Sequence, residues 1–384
     1  MCGGANLDIA FETKAMPLTG LYLPEGSKDK PPSFDQGLNY CANCGHGQLK
    51  NIVSSEILYN DTYVHRSSKS VISTSGNDYF HKYIRKITGG HKYESILEVG
   101  CNDLYLIDRI QDLGDSLIGI DPIWKGKDHF HNKKTQILGR FIEELRASSE
   151  IEKRPDLVIS AHTFEHVEDL FDQLKMLISL ASDNCLFVIE MPCFDTMVKI
   201  GRYDQVFHQH LQYLSLSSMM HLINRLECRY INHIFNYNYW GGTLLFSFQK
   251  TNPASSHEKP EFENIGLATV KKGFMSFLEL LRLAHEQLVQ LDEPCYGFGA
   301  AQMLPVLAHH MESDLGFLKA LIDDNDERVG KCLPGIDCSI VAPSQIKNFS
   351  DIAVVVTALD SMRPILRRLL DLSPRRLLNP INIF

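Results

Sequence analysis

The length, composition and charge of the chain describe an ordinary globular protein. It has 384 residues, of which 44% are hydrophobic and 22% charged, so we expect two or three domains with well-filled cores. The formal net charge of −9 argues against broad binding to nucleic acid or to an anionic membrane surface. No apolar run approaches the roughly 20 residues that span a bilayer, and the N-terminus lacks the pattern of an export signal. Most of the ten cysteines lie singly in apolar runs, which predicts reduced, buried thiols in a cytoplasmic protein.

Residues 1–70 are rich in turn-forming residues, and from Tyr93 onwards strand-like and helix-like runs alternate. The run SILEVG predicts a strand, LYLIDRIQDLG predicts an amphipathic helix that ends at Gly114, and SLIGIDP predicts a second strand. PDLVISAH, VEDLFDQLKMLISLA and NCLFVIEMP then predict a strand, a helix and a strand. This alternation indicates a parallel sheet flanked by helices, with ligands at the carboxyl ends of the strands.

The remainder of the chain predicts a second unit of the same kind. After the strand-like run WGGTLLFSFQK, the polar segment TNPASSHEKPEFEN indicates a linker. VKKGFMSFLELLRLAHEQLVQL has helical periodicity over about six turns. After Pro294 a second alternation follows, through CYGFGAAQMLPVLAHHM, LKALIDDND and DIAVVVTAL.

Gly100 lies between the first strand and the segment that follows it, and acids stand near both ends of the unit. Glu98 precedes the glycine, and Asp121 ends the second strand 21 residues after it. A turn and a carboxylate so placed are typical of a nucleoside site, because the backbone approaches the ligand and the acid accepts hydrogen bonds from the ribose. The G-x-G-x-x-G pattern of pyrophosphate binding is absent, which favours S-adenosylmethionine (SAM) over NAD. An ordinary doubly wound core is the alternative, but it leaves both acids unexplained.

The whole chain resembles the SAM-dependent C-methyltransferases that add a methyl branch to nucleotide-activated deoxysugars. CGG, MPLTG and CANCGHGQL resemble their zinc domain, and LEVGCND, HTFEHV, IEMP and DQVFHQHLQYLS resemble their SAM domain and catalytic loop. GFGAA and LIDDNDERVGKCLPG resemble their second Rossmann-like domain. The resemblance implies an α/β protein of three parts. These are a small zinc-binding N-terminal domain (1–70), a doubly wound SAM-methyltransferase domain (71–250), and a linker helix with a Rossmann-like C-terminal domain (251–384).

The resemblance also implies which residues bind the cofactor. They are Glu98, Gly100, Asn102, Asp103, Asp121, Phe141 and His162. His162 stands where the family tends to have asparagine.

Cys41 and Cys44 have the spacing of one zinc knuckle, whose thiolates bind the metal at about 2.3 Å. The family pairs them with an earlier Cys-x-x-Cys-Gly-Gly, of which only the second cysteine, Cys2, is present. His46 could complete a Cys3His site; alternatively, the start of the chain is misassigned or the site is free of metal. The resemblance implies a structural zinc bound by Cys2, Cys41 and Cys44.

His208 and His210 would share one face on a strand, where they could bind a metal, whereas on a helix at most one faces a site. A surface pair is the simpler alternative. SAM is already activated, so a C-methyltransferase must supply position and a base that removes a proton next to a ketone. A histidine, with a pKa of about 6.5, suits that role. The resemblance implies His210 as the base, His166, 44 residues earlier, as its partner and His208 as structural. His166 taken alone is more typical of a core or capping residue.

Some positions depart from the family pattern. Gln209 replaces a glutamate beside the catalytic-loop histidine, and Phe207 and His65 replace tyrosines, whereas Tyr63 is retained. Glutamine keeps a hydrogen bond but removes a charge that would raise the basicity of the neighbouring histidine. The catalytic candidates are His210, His166, Gln209, Tyr63 and His65.

The sequence therefore predicts a SAM-dependent C-methyltransferase that acts next to a ketone of a nucleotide-activated deoxysugar. One alternative is an O-methyltransferase on a related sugar nucleotide, in which His210 deprotonates a hydroxyl. The other is a catalytically weakened scaffold that binds a nucleotide. The expected cofactors are SAM and zinc, the expected partner is a nucleotide sugar rather than nucleic acid or membrane, and the expected state is a monomer or homodimer.

Overall fold

A computed structural model gives the fold and describes residues 1–27, 29, 31–58, 66–145, 151, 153–250 and 260–380. The first elements are β1 (Asp8–Pro17), β2 (Leu23–Pro24), β3 (Ser33–Cys41), β4 (His46–Leu49) and the short helix α1 (Ser55–Leu58). β1, β3 and β4 form an antiparallel sheet. The tight turn between β3 and β4 holds Cys44 close to Cys41, where the knuckle spacing predicts it.

The helix α2 (Val71–Thr88) precedes the large sheet and has no counterpart in the sequence prediction. It begins after Ser70, whose side chain accepts a hydrogen bond from the Ser73 amide, and it ends at Gly89 in the left-handed conformation. Its buried face mixes polar and apolar side chains, among them Asn77 and Phe80. That mixture hides the helical period from a reading of hydrophobicity alone.

The large sheet forms the centre of the molecule. The strands that follow α2 are β5 (Tyr93–Val99), β6 (Gly114–Ile120), β7 (His129–Asn132), β8 (Thr135–Leu138), β9 (Leu157–Ala161), β10 (Leu186–Pro192), β11 (Gln212–Tyr213), β12 (Cys228–Asn236) and β13 (Thr243–Lys250). Eight of them form one sheet in the order β12-β13-β10-β9-β5-β6-β8-β7, and β11 joins β4 of the N-terminal sheet instead. The predicted strands and the α/β fold are confirmed. The sheet is mixed, however, because short loops join β12 to β13 and β7 to β8, and short loops produce antiparallel pairs.

The helix α3 (Leu170–Leu180) is present as predicted, and α4 (Phe194–Ile200) and α5 (Leu216–Arg225) follow it. The helix predicted after Gly100 is wrong. Asn102 and Leu104 have φ values of 41° and 71°, outside the right-handed helical region, and two 3-10 turns, Ile107–Arg109 and Gln111–Leu113, replace it. Gly114 begins β6 rather than ending a helix.

The C-terminal part begins with the predicted long helix, α6 (Leu267–Leu288). The elements after it are β14 (Cys295–Phe298), α7 (Leu304–His310), β15 (Leu318–Ile322), β16 (Lys331–Cys332), β17 (Ile340–Val341), β18 (Ala353–Val356), α8 (Met362–Leu372) and β19 (Arg376–Leu378). Five strands form a parallel sheet in the order β17-β15-β14-β18-β19, and β16 pairs with β2. Residues 251–259 of the predicted linker lie outside the described residues.

One hydrophobic core joins the two ends of the chain. It contains Tyr40 of β3, Phe194 of α4, Phe274 of α6, Leu307 of α7 and Leu321 of β15. Two further cores cover the opposite faces of the eight-stranded sheet. This packing brings the carboxyl ends of the parallel strands in the two sheets toward each other. None of the described helices combines the length and apolar character that a membrane span requires.

Candidate active site

The carboxyl ends of the parallel strands in the two sheets open on one cavity of about 1030 Å³. On one side its wall is formed by residues after β5 and β9 and by the loop between α4 and β11. On the other side lie the segments after β14, β15 and β18. A volume at the upper end of the range for small-molecule sites leaves room for two ligands side by side.

Gly100 forms the turn at the end of β5 on the cavity wall. Its φ is 80°, and a Cβ atom there would lie 1.9 Å from the Thr163 hydroxyl oxygen, so a larger residue does not fit. The amide of Gly100 donates to the Ile120 carbonyl, which closes the turn against β6. The backbone can therefore approach a ligand closely, as the sequence pattern predicts.

The two predicted acids have different environments. Glu98 is 2% exposed and lines the cavity, and burial together with the Asp121 carboxylate raises its pKa well above the usual range. Asp121 accepts hydrogen bonds from the amides of Asn102, at 2.8 Å, and Ile123, at 2.9 Å. Burial raises the pKa of Asp121, and these two hydrogen bonds oppose the rise. Asp121 thus fixes the Gly100 turn, and it lies outside the cavity wall.

Other predicted cofactor residues organise the rim of the site. The Asn102 side chain accepts from the Ser67 amide at 3.0 Å, and Asp103 accepts from the Ser68 amide at the same distance. These contacts hold the segment that leads into α2 over the Gly100 turn. Phe141 is half-buried after β8, and neither it nor Asp103 lines the cavity.

Three histidines surround one buried carboxylate at the end of β9. Glu165 is 1% exposed, and its Oε1 lies 3.3 Å from His162 Nδ1 and 3.9 Å from His166 Nε2. The ring of His210, from the loop after α4, lies 5.0 Å from the ring of His166. The φ of His162 is 52°, a conformation that asparagine and histidine tolerate better than most residues. All four side chains line the cavity.

The charges of this group follow from burial and from the carboxylate. Burial raises the pKa of Glu165, but the neighbouring imidazoles lower it more, to about 2. Burial lowers the pKa of His162, and Glu165 outweighs that effect and raises it. Burial lowers the pKa of His210 to about 3, with His166 acting in the same direction and Glu165 opposing. At neutral pH His210 therefore keeps an unprotonated nitrogen beside an ionised Glu165.

The loop that contains His210 is fixed from the N-terminal part of the chain. The Thr19 hydroxyl donates to Gln209 Oε1 at 2.9 Å, and the Gln209 carbonyl accepts from His166 Nδ1 at 2.7 Å. His208 is fully buried between Gln36 and the Met16 carbonyl, at 3.0 and 3.1 Å, and it does not line the cavity. This position agrees with the structural role expected for His208. Tyr63 and His65 lie outside the described residues.

Sequence reasoning missed two features of the cavity wall. The fully buried Arg202 pairs with Asp204 and with Asp360 of the C-terminal part, both at 2.7 Å. The signal in the sequence was only an arginine and an acid two residues apart.

The second missed feature is a repeat of the Gly100–Asp121 arrangement in the C-terminal sheet. Gly299 follows β14 with a φ of 101°, and Asp323 follows β15 and accepts from the Ala300 amide at 2.7 Å. The glycine in GFGAA and the acid in LIDDND were the available signals.

The cysteine cluster lies away from the cavity. The sulfur atoms of Cys2, Cys41 and Cys44 all lie within 4.8 Å of one another, and those of Cys2 and Cys41 are 3.7 Å apart. Two thiolates on a tetrahedral zinc are separated by about 3.8 Å, so this pair fits the metal. No fourth His, Cys, Asp or Glu of the described residues joins the group. His46 instead pairs through Nε2 with Gln212 at 2.9 Å.

Comparison with known proteins relates this chain to methyltransferases. Residues 74–233 match the family model described as a methyltransferase domain. Over 370 residues the chain is 21% identical to the C-methyltransferase NovU of Streptomyces niveus, a match that covers 90% of this chain and 85% of that protein. The chain is a SAM-dependent methyltransferase that is similar to a C-methyltransferase over most of its length. The methyltransferase is also similar to solved structures of N-methyltransferase NodS from Bradyrhizobium japonicum (12% identity, 50% of this chain and 94% of that chain, TM-score 0.38) and of the plantazolicin methyltransferase BpumL (16% identity, 47% and 84%, TM-score 0.36).

The matched domain supplies one side of the cavity of this methyltransferase. It contains Gly100, Asp121, His166 and His210. Thr19 and the segments after β14 and β18 complete the wall from outside residues 74–233. SAM is the methyl donor.

Proposed function

We propose that the enzyme transfers the methyl group of SAM to a carbon next to a ketone in a nucleotide-activated deoxysugar, with His210 as the general base. The proposal rests on the cavity that has the Gly100 turn on its wall together with the rings of His166 and His210, 5.0 Å apart. A donor at the turn and an acceptor against the histidines would meet in one cavity. Similarity to a C-methyltransferase over 90% of the chain favours carbon over oxygen as the acceptor atom.

In the proposed reaction, proton removal by His210 precedes methyl transfer from SAM. His210 accepts the proton from the carbon beside the ketone, and the electron pair moves to the ketone oxygen as an enolate. The enolate carbon then bonds to the SAM methyl group as the sulfur–methyl bond breaks, and S-adenosylhomocysteine leaves. Gln209 is the donor to the enolate oxygen: because its Oε1 accepts from Thr19, its amide nitrogen keeps two hydrogens for a ligand.

The C-terminal wall supports a nucleotide as the carrier of the sugar. The Gly299 turn and Asp323 repeat the arrangement of Gly100 and Asp121, which suits a second nucleoside. Arg328 and Arg368 also line this wall, and guanidinium groups match the geometry of phosphate oxygens. A nucleoside diphosphate along these residues would extend the sugar toward His210.

The cysteine cluster supports a zinc ion with a structural role. Its three sulfur atoms are close enough to bind one metal, and they join the N-terminus to the β3–β4 turn. A bound zinc would link the N-terminus to the β3–β4 turn of the small sheet. The cluster lies away from the reacting groups.

The test is proton exchange in deuterated water, with a keto-deoxysugar nucleotide and no SAM. The wild-type enzyme is expected to exchange the hydrogen next to the ketone, because the base acts before the methyl transfer. His210→Asn is expected to exchange at least a hundredfold more slowly. Methylation by the wild type without any exchange would replace the C-methyl proposal by the O-methyl alternative.

A further inference from the structure

We propose that Glu165, His166 and His210 form a binding site for a divalent transition-metal ion in the reaction cavity. One carboxylate oxygen and one nitrogen from each imidazole all lie within 4.8 Å of one another. Imidazole and carboxylate ligands bind such ions at about 2.0–2.2 Å, which places ligand atoms roughly 3–3.5 Å apart. Small side-chain rotations close that difference. Two histidines and one carboxylate are a recognised ligand set for first-row metals.

Glu165 is a buried carboxylate at the centre of this group. Its side chain is 1% exposed, and within the described part of the chain neither carboxylate oxygen makes a hydrogen bond. The contact with His162 Nδ1, at 3.3 Å, lacks hydrogen-bond geometry. A buried carboxylate without hydrogen bonds is costly, and a metal ion satisfies it directly.

His166 is oriented as a metal-ligating histidine is, and packing restrains His210. A carbonyl oxygen only accepts, so the 2.7 Å contact between His166 Nδ1 and the Gln209 carbonyl places the hydrogen on Nδ1. That leaves Nε2, the nitrogen that lies 3.9 Å from Glu165, with the lone pair. Such a hydrogen bond behind a ligating histidine is the usual way in which its tautomer is fixed. The Phe207 ring packs 4.2 Å from the His210 ring and limits its rotation.

The remaining coordination positions of such an ion face the cavity, because all three ligands lie on its wall. The site goes beyond the proposed function and does not depend on it. His210 cannot bind a metal and accept a proton through the same nitrogen, so a bound ion should block its action as a base. If the proposed function is right, the metal inhibits methyl transfer and a chelator restores it.

The test is a Co²⁺ titration of the untagged, chelator-treated full-length chain carrying Cys41→Ser, so that the thiolate cluster does not contribute. We expect one Co²⁺ per chain, with visible absorption and no sulfur-to-cobalt charge-transfer band. Adding Glu165→Gln should weaken binding at least tenfold. The matched control is His131→Gln, which removes a surface histidine 3.2 Å from Asp108 and should leave binding unchanged. No bound Co²⁺, or equal binding by the Glu165→Gln protein, would overturn the site.

A second measurement covers the case in which Cys41→Ser does not fold. Loss of the free Mn²⁺ signal in electron paramagnetic resonance reports binding to the wild type, because Mn²⁺ favours carboxylate ligands over thiolates. The same loss with Glu165→Gln would contradict the proposal. If the protein binds Co²⁺ or Mn²⁺ as expected but neither exchanges the hydrogen next to the ketone nor methylates a keto sugar, the metal site stands and the proposed function is wrong.

Discussion

At His210, position favours a group that accepts a proton, whereas burial disfavours the protonated imidazole and lowers its basicity. The ring packs on Phe207 and stands beside His166, and burial keeps the imidazole unprotonated. Replacing it with asparagine keeps a polar side chain of similar size but removes the basic nitrogen. His210→Asn is expected to lower methyl transfer by roughly 10²–10⁴-fold, the usual contribution of a general base. Calorimetry should find SAM binding within a few-fold of the wild type.

The matched control is the neighbouring histidine of the same loop. His208→Asn loses the contacts with Gln36 and the Met16 carbonyl, and we expect it to lower the free energy of unfolding by about 1–3 kcal/mol. Methyl transfer by the folded protein should change only a few-fold. Equal losses of activity in the two variants would mean that the loop acts through its conformation and that His210 is not the base.

Among the elements, the β3–β4 turn is the place where a metal would join the N-terminus of the chain to the N-terminal sheet. Its cysteines approach Cys2 from another segment, and the sulfur separations fit zinc. Elemental analysis of protein prepared without added metal should find close to one zinc per chain. Cys41→Ser should reduce that content and the melting temperature together. A melting temperature that is unchanged by Cys41→Ser or by a strong chelator would leave these residues as ordinary thiols.

The loop between α4 and β11 depends on an ion pair with the C-terminal part. Asp360→Ala removes one of the two carboxylates that neutralise the fully buried Arg202. We expect the free energy of unfolding to fall by about 1–3 kcal/mol, as for other hydrogen bonds to charged groups. Methyl transfer should fall as well, because Gln205, in the same loop, also donates to Asp360 at 3.0 Å.

A surface ion pair provides the comparison in denaturant unfolding. Glu279→Ala breaks an exposed pair with Arg282 on α6 and should leave stability unchanged, because solvent screens such pairs. If Asp360→Ala and Glu279→Ala unfold at the same denaturant concentration, the ion pair with Asp360 does not stabilise the loop between α4 and β11.

The sequence predicts the elements whose cause is local. Gly100 lies at the end of β5 because the turn requires its conformation, and strands such as Leu186–Pro192 follow from continuous apolar runs. Where a predicted element is wrong, the cause is a local backbone conformation that the hydrophobic pattern does not show. The apolar spacing after Gly100 is that of a helix, but Asn102 and Leu104 have positive φ values, which a right-handed helix does not allow.

At the scale of the whole molecule, the missing information is long-range pairing. Thr19 meets Gln209, and Arg202 meets Asp360, across 190 and 158 residues of chain. No periodicity encodes such contacts, so the sequence predicts the residues on one wall of the cavity but not the partners that hold them. β11 likewise joins the N-terminal sheet although its neighbours in sequence belong to the methyltransferase domain.

This interleaving predicts that the methyltransferase domain does not fold alone. Phe194, Tyr203 and Tyr213 are buried in the core that also contains Tyr40 and Phe274 from outside residues 66–250. A fragment of residues 66–250 would expose these side chains to water, at a cost of about 1.5–3 kcal/mol for each one fully exposed. We therefore expect weak near-ultraviolet circular dichroism and no sharp thermal transition, whereas the full-length chain unfolds cooperatively. A fragment that melts sharply and binds SAM with the affinity of the full-length enzyme would show that the shared core is not needed for the site.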